Sequence, residues 1–266
     1  MHKGERNKMN IKPAIKYNLN NFRKSLSIYY LVIVLFYIFS LIMGVVVEGQ
    51  STMNGTDIIA GGFLFIVGLG SFKDEFHMLI QNGVSRKTTF VAYIMNLGIA
   101  AALMTVIELI LEAVFSGIAS ITGIDNVRFG FMFESIYAGR YAGTGVFLRT
   151  VETFLWVAAL YLALGMLGFF ITNLYYRMNK TLKIIVSVGV PSIIFIGFPI
   201  VNNFMGNKLV EAGGRLVLFI LGYPEGGSPY SSDATPYHMI LFCLTLFVIC
   251  GGLAWLLMRR AATKKL

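Results

Sequence analysis

Residues 28–47 read Ile28-Tyr29-Tyr30-Leu31-Val32-Ile33-Val34-Leu35-Phe36-Tyr37-Ile38-Phe39-Ser40-Leu41-Ile42-Met43-Gly44-Val45-Val46-Val47, twenty residues without a charge. A bilayer core about 30 Å thick is crossed by ~20 apolar residues rising ~1.5 Å each, so this stretch predicts a membrane-spanning helix. Working outward, the predicted spans are 28–47, 57–72, 88–117, 146–174, 183–202 and 238–258. Together they leave no stretch long enough for a soluble domain. A chain that is 56% hydrophobic and only 13% charged, with a mean hydropathy of +0.72, agrees. The sequence therefore predicts an all-α integral membrane protein, residues 1–266 forming a single transmembrane domain of six helices.

The second span is the shortest, and Gly61, Gly62, Gly68 and Gly70 crowd it. Small residues of this kind let helix backbones approach closely. An even number of spans puts both termini on one side, and the basic residues choose the side. The N-terminal tail, the second-to-third and fourth-to-fifth connections and the C-terminus hold 17 of the 22 Lys and Arg residues. By the positive-inside rule this face is cytoplasmic, which predicts a multi-pass protein of the cell membrane. The net charge of +9 then reports topology and attraction to the anionic headgroups of the lipid bilayer, not nucleic-acid binding. The first span follows a polar, basic tail without a small-residue cleavage site and reads as an anchor, not a signal peptide. Cys243 and Cys250 lie seven residues apart on the last span, ~10 Å along the axis, too far for a mutual disulfide; they read as packing residues.

Two connecting segments carry helical patterns. Over residues 11–27, Ile11, Ile15, Leu19, Phe22 and Leu26 recur at helical spacing, with Lys12, Lys16, Arg23 and Lys24 between them. That is the pattern of an interfacial helix lying in the headgroup plane; the plainer reading is a basic flank. Between spans two and three, Ser71 is placed to cap a short helix opened by Asp74 and Glu75. Phe72, Phe76, Leu79 and Ile80 share one face of it, and Asp74, Glu75, His77, Met78 and Gln81 share the other. Asn82-Gly83 is a helix stop, and Ser85 starts the third span just before Arg86. The polar face either docks a cytoplasmic partner or meets water. Among the remaining connections, the stretch Leu216–Leu221 is too short to span and reads as a re-entrant or interfacial helix.

Recognisable catalytic chemistry is missing. No Gly-rich loop ends in Gly-Lys-Ser/Thr, no His-Glu-x-x-His is present, and no serine sits in a Gly-x-Ser-x-Gly pattern. His2, His77 and His238 have no metal-ligand spacing, so no metal site is expected. The ionisable residues of the spans are Glu108 and Glu112, one helical turn apart on span three, and Arg149 and Glu152 at the start of span four. Counted from Thr89, Glu108 lies ~28 Å along its helix, near the outer interface. The four read as an outer polar cluster: either structural ion pairs, with Arg149 joined to Glu108 or Glu112, or the lining of an outward vestibule. A midplane almost without acids argues against an ion-driven carrier.

The order of these elements resembles a type-2 ABC transporter permease, the membrane subunit of bacterial ATP-driven exporters. The resemblance covers nearly the whole chain: a basic amphipathic N-terminal helix, six spans with both ends inside, and a short helix between spans two and three. The corner Asn82-Gly83-Val84-Ser85-Arg86-Lys87-Thr88 is similar to the Gly-x-Ser-Arg stretch frequent in these permeases. The resemblance implies a half-transporter that pairs with a second permease copy or homologue and with two cytoplasmic nucleotide-binding ATPase subunits. ATP and Mg would then be held by those ATPases, with no cofactor and no catalytic residue on this chain. Phe72 to Gln81 matches the family's coupling helix, and the substrate would be amphipathic or lipophilic, walled by residues such as Phe63, Phe65, Tyr93, Phe154 and Trp156. The rival expectation is an ion-coupled secondary transporter, or an accessory membrane protein without an ATPase.

Overall fold

Ser85 starts the longest helix among the described residues. Its backbone is extended (φ −68°, ψ 148°) and its Oγ accepts from the Thr88 amide at 3.1 Å, the geometry of a serine N-cap. Helix α3 then runs from Arg86 to Thr122 and ends at Gly123, whose φ of 70° is the left-handed turn that glycine adopts without strain. The computed structural model describes residues 11–46, 51–81, 84–124, 127–141, 145–224 and 234–259, with side chains described outside 11–21, 51–53 and 71–81. In chain order the elements are α1 (Ile11–Val46), β1 (Ser51–Asn54), α2 (Thr56–Gln81), α3, β2 (Val127–Gly130), α4 (Met132–Ile136), α5 (Val146–Arg177) and α6 (Lys180–Ser192). A π-helical turn (Ile193–Gly197), α7 (Phe198–Phe204), α8 (Lys208–Leu221) and α9 (Tyr237–Arg259) complete them.

Among the described residues, five helical segments are long and apolar enough to cross a membrane: Phe22–Val46, Arg86–Thr122, Val146–Arg177, Lys180–Phe204 and Tyr237–Arg259. A further apolar segment, Thr56–Gly70, is shorter. Leu35, Phe39, Ile66, Ile110 and Val248 are each more than half exposed on the outward helix faces. Large apolar side chains spread over a whole helical surface suit lipid and not water. The protein is an all-α membrane protein.

Two expected helix boundaries are absent. The segment 11–27 is continuous with the first span as α1, and Ser71 lies inside α2 instead of capping a new helix. The sequence explains both. No Gly or Pro falls between Ala14 and Met43, or between Ser71 and Gln81, so nothing obliges the backbone to leave the helix. The fifth apolar segment behaves differently. Pro191 has no amide to donate, and the register widens directly after it into the π-helical turn before α7 resumes.

Helix α5 occupies the middle of the bundle, with α2 and α9 on its flanks and α3 across it. Leu64, Leu97, Met104, Tyr161, Met166, Ala254 and Met258 form the core between them. Tyr93 stacks on Phe169 with centroids 3.8 Å apart, and Phe90 meets Trp255 at 5.3 Å. Tyr30 Oη donates to Met104 O, and Tyr37 packs on Phe115 and Phe129, so α1 and α3 run side by side in the same direction. Both finish at the end of the bundle where β1 pairs with β2 in parallel, Ser51 opposite Val127 and Asn54 opposite Gly130. At the opposite end, Arg86 donates to Arg259 O at 2.8 Å and ties the start of α3 to the end of α9. The start of α1 and the end of α9 are therefore at the same end of the bundle, away from the sheet. Both cysteines are buried and free.

Candidate functional site

The four ionisable residues singled out in the sequence do not form one cluster. They separate into three groups, each completed by residues from elsewhere in the chain. Arg149 pairs with Glu134, its Nε donating at 2.8 Å and its second guanidinium nitrogen bonding the same carboxylate oxygen. Arg149 thus has neither Glu108 nor Glu112 as its direct partner, although Glu112 lies within electrostatic reach of both Arg149 and Glu134. The reason is that the connection after α3 folds back. Strand β2 docks on β1, and α4 lands beside the first turn of α5 with Glu134 on it.

Glu152 is the centre of the second group. Arg140 approaches its Oε1 at 3.3 Å, Tyr237 Oη donates to the same oxygen at 2.6 Å, and Tyr141 Oη donates to Oε2. The Arg140 guanidinium also lies over the rings of Tyr141 and Tyr237 at 6.0 and 5.8 Å. This network joins the α4–α5 connection, α5 and α9. Beside it Tyr137 donates to Leu221 O at 2.8 Å while Tyr223 donates back to Ile136 O. Burial pushes the Tyr137 phenol up from its ordinary range, so it remains a hydrogen-bond donor. The two connections at the sheet end are thereby laced together over the bundle.

Glu108 forms the third group. It is enclosed between helices and 2% exposed. Tyr161, halfway along α5, donates to its Oε2. Tyr29 of α1 is adjacent, and Asp57, in the first turn of α2, is within electrostatic reach. Asp57 has a role the sequence did not suggest: its Oδ1 accepts from the Met132 amide and pins α4 to the start of α2. The missed participants are tyrosines and loop residues, which carry no periodic signal.

At the other end, Asp74, Glu75, Phe76, His77, Met78, Leu79 and Gln81 occupy the last turns of α2. Their side chains, and Gly83, lie outside the described residues. Beyond the apolar segment ending at Gly70 the helix continues for eleven residues, ~16 Å. The following Ser85 and Arg86 have the cap and the tie to Arg259 described above. Phe63, Tyr93 and Trp156 pack within the bundle, Phe63 stacked on Tyr29 and Trp156 against Phe133. Among the described residues no group of three or more His, Cys, Asp and Glu is placed to hold a metal ion. No protein-family model, curated protein or solved structure matches the chain.

Proposed function

We propose that this chain is the permease subunit of an ATP-driven exporter of the ABC type. Six spans with both termini in the cytoplasm would form, together with a second permease copy or homologue, the path for an amphipathic or lipophilic substrate. The observation that carries this reading is the shape of α2. Its apolar part ends at Gly70, while the helix continues unbroken to Gln81 with Asp74, Glu75, His77 and Gln81 in the extension. A helix that stays continuous beyond its apolar, packed part can transmit a push into the membrane. Ser85 and Arg86 fix the next helix directly after it. Closure of two partner ATPases on the extension would move α2, and α5 with it, and open the bundle towards the sheet end. ATP and Mg belong to those partners.

Purification from native membranes tests this reading. A soluble ATPase should accompany the chain in stoichiometric amount, and the double reversal of Asp74 and Glu75 to lysine should release it while insertion stays normal. A groove that accepts two carboxylates repels two ammonium groups. Retention of the ATPase and of transport by the double variant would reduce the extension to a solvated surface. The enclosed Glu108 favours a second reading, an ion-coupled secondary transporter. That reading predicts no co-purifying ATPase.

A further inference from the structure

We propose that residues 191–199 form a hinge within the apolar segment Lys180–Phe204, on which the outer half of that helix swings against the inner half. The proposal does not depend on the energy source for transport. Of the six prolines in the chain, Pro191 and Pro199 lie in this segment, and the other described apolar segments contain none. Pro191 has no amide for the carbonyl of Ser187, and Pro199 has none for the carbonyls of Ile194 and Phe195. Between the prolines the register is π-helical, the Phe198 amide donating five residues back to Ile193 O. Ser192 Oγ donates to Val188 O at 2.7 Å, a side-chain bond of the kind that bends helices. Pro191 is eleven residues, ~16 Å, from Lys180, so the break falls near the middle of a bilayer core about 30 Å thick.

Packing can splint a helix whose ladder of hydrogen bonds is interrupted, but this one has no such splint. No side chain of α6 or of the π-helical turn is buried, and in α7 Asn202 alone is buried. Each half is instead fixed at its own end. Ser187 Oγ lies 3.1 Å from Tyr175 Oη, which joins the inner half to α5. In the outer half, Asn202 Oδ1 accepts the Val210 amide at 3.0 Å, and its Nδ2 donates to Asn207 Oδ1 at 2.9 Å. Gly206 and Asn207 are both left-handed, with φ of 62° and 65°, and close a tight corner. Helices α7 and α8 therefore turn as one body. The far end of α8 is tied to the α4–α5 connection, Tyr137 donating to Leu221 O. A movement at the sheet end thus reaches the hinge through α8 and α7, while the inner half stays on α5.

The test uses the purified full-length chain in lipid nanodiscs, with Cys243→Ala and Cys250→Ala to remove the native thiols. Nitroxide labels are placed at Phe204 in the outer half and, separately, at Ile185 in the inner half, each paired with a label at Val248 on α9. All three positions are exposed. Phe204 lies nine residues, ~13 Å, beyond Phe195, so a swing of about 20° moves it by about 5 Å. Pulsed electron resonance should therefore show Phe204–Val248 distances spread about 5 Å more widely than Ile185–Val248 distances. Pro191→Ala combined with Pro199→Ala restores both amides and should bring the two spreads together. Pro199→Ala alone should narrow the outer pair and leave the inner pair as it is, which keeps the hinge testable if the double variant does not fold. Equal spreads in the chain with both prolines, or an outer spread unchanged by the proline variants, overturn the hinge and leave the segment a fixed irregularity.

Discussion

Glu134 and Glu152 are carboxylates at the same end of the bundle, each with an arginine partner, yet their surroundings give them unequal weight. The Arg149–Glu134 pair is open to solvent, with the arginine side chain 43% exposed, so water screens it. Exposed pairs contribute about 0.2–1 kcal/mol. Glu152 is enclosed, with one guanidinium and two phenols on its two oxygens. Removing its charge leaves those donors without their acceptor, at a cost of about 1–3 kcal/mol. We therefore expect Glu152→Ala to lower thermal stability in detergent more than Glu134→Ala. Arg149→Ala should be non-additive with Glu134→Ala and additive with Glu108→Gln, measured by double-mutant cycles of Tm. A cycle that instead couples Arg149 to Glu108 would contradict the arrangement around α4. The charges themselves were readable in the sequence, but their partners were not. Spacing along a helix predicts which residues share a face, whereas Glu134 and Arg140 reach their partners through a connection whose path has no period.

At the scale of elements, helices α2 and α5 meet backbone against backbone. A Cβ at Gly68 would lie 2.4 Å from Gly165 O, and one at Gly168 would lie 2.2 Å from Phe65 O. Both obstacles are backbone, so no side chain can turn aside and the helices would have to separate. Gly62 and Gly70, on the same helix, have nothing within 4 Å of that position. Gly68→Ala and Gly168→Ala should each cost about 1–3 kcal/mol as overpacking, read as lost folded yield after membrane extraction. Gly62→Ala and Gly70→Ala should be tolerated; equal loss from all four variants would rule out the contact as the cause. The glycine content announced close packing, because small residues have few other uses in an apolar helix. Which glycines face α5 was hidden, since four of them within ten residues satisfy more than one helical face. The helix lengths were hidden for a related reason. Hydropathy marks where a helix becomes polar, but α1 and α2 stay helical through that change because no residue there breaks them. The parallel β1–β2 pair was also unforeseen: four residues in each strand are too short for any alternation to register.

For the molecule as a whole, the distribution of charge bears on how the bundle lies across the membrane. The end holding the start of α3 and the close of α9 also holds Arg177, Lys180 and Lys183, while at the sheet end Asp57, Glu134 and Glu152 stand beside Arg128, Arg140 and Arg149. On the positive-inside rule we propose that the sheet end faces outside. The alternative treats Thr56–Gly70 as too short to cross, since fifteen residues rise only ~22 Å. That leaves five crossings and puts the termini on opposite sides. We propose six crossings instead, because α2 begins beside the sheet while α3 begins at the other end, tied by Arg86 to the end of α9. Single cysteines at Met53, at Ile124 and at Asn179 separate the two arrangements. Met53 and Ile124 lie at the sheet end and should react with an impermeant thiol reagent added to intact cells. Asn179, exposed between α5 and α6, should react only after permeabilisation. Background from the native thiols should be low, because Cys243 and Cys250 are 3% and 4% exposed. Labelling of Asn179 in intact cells, or protection of both sheet-end positions, would invert the molecule. It would then place the α2 extension on the side of the membrane where no ATPase can reach it.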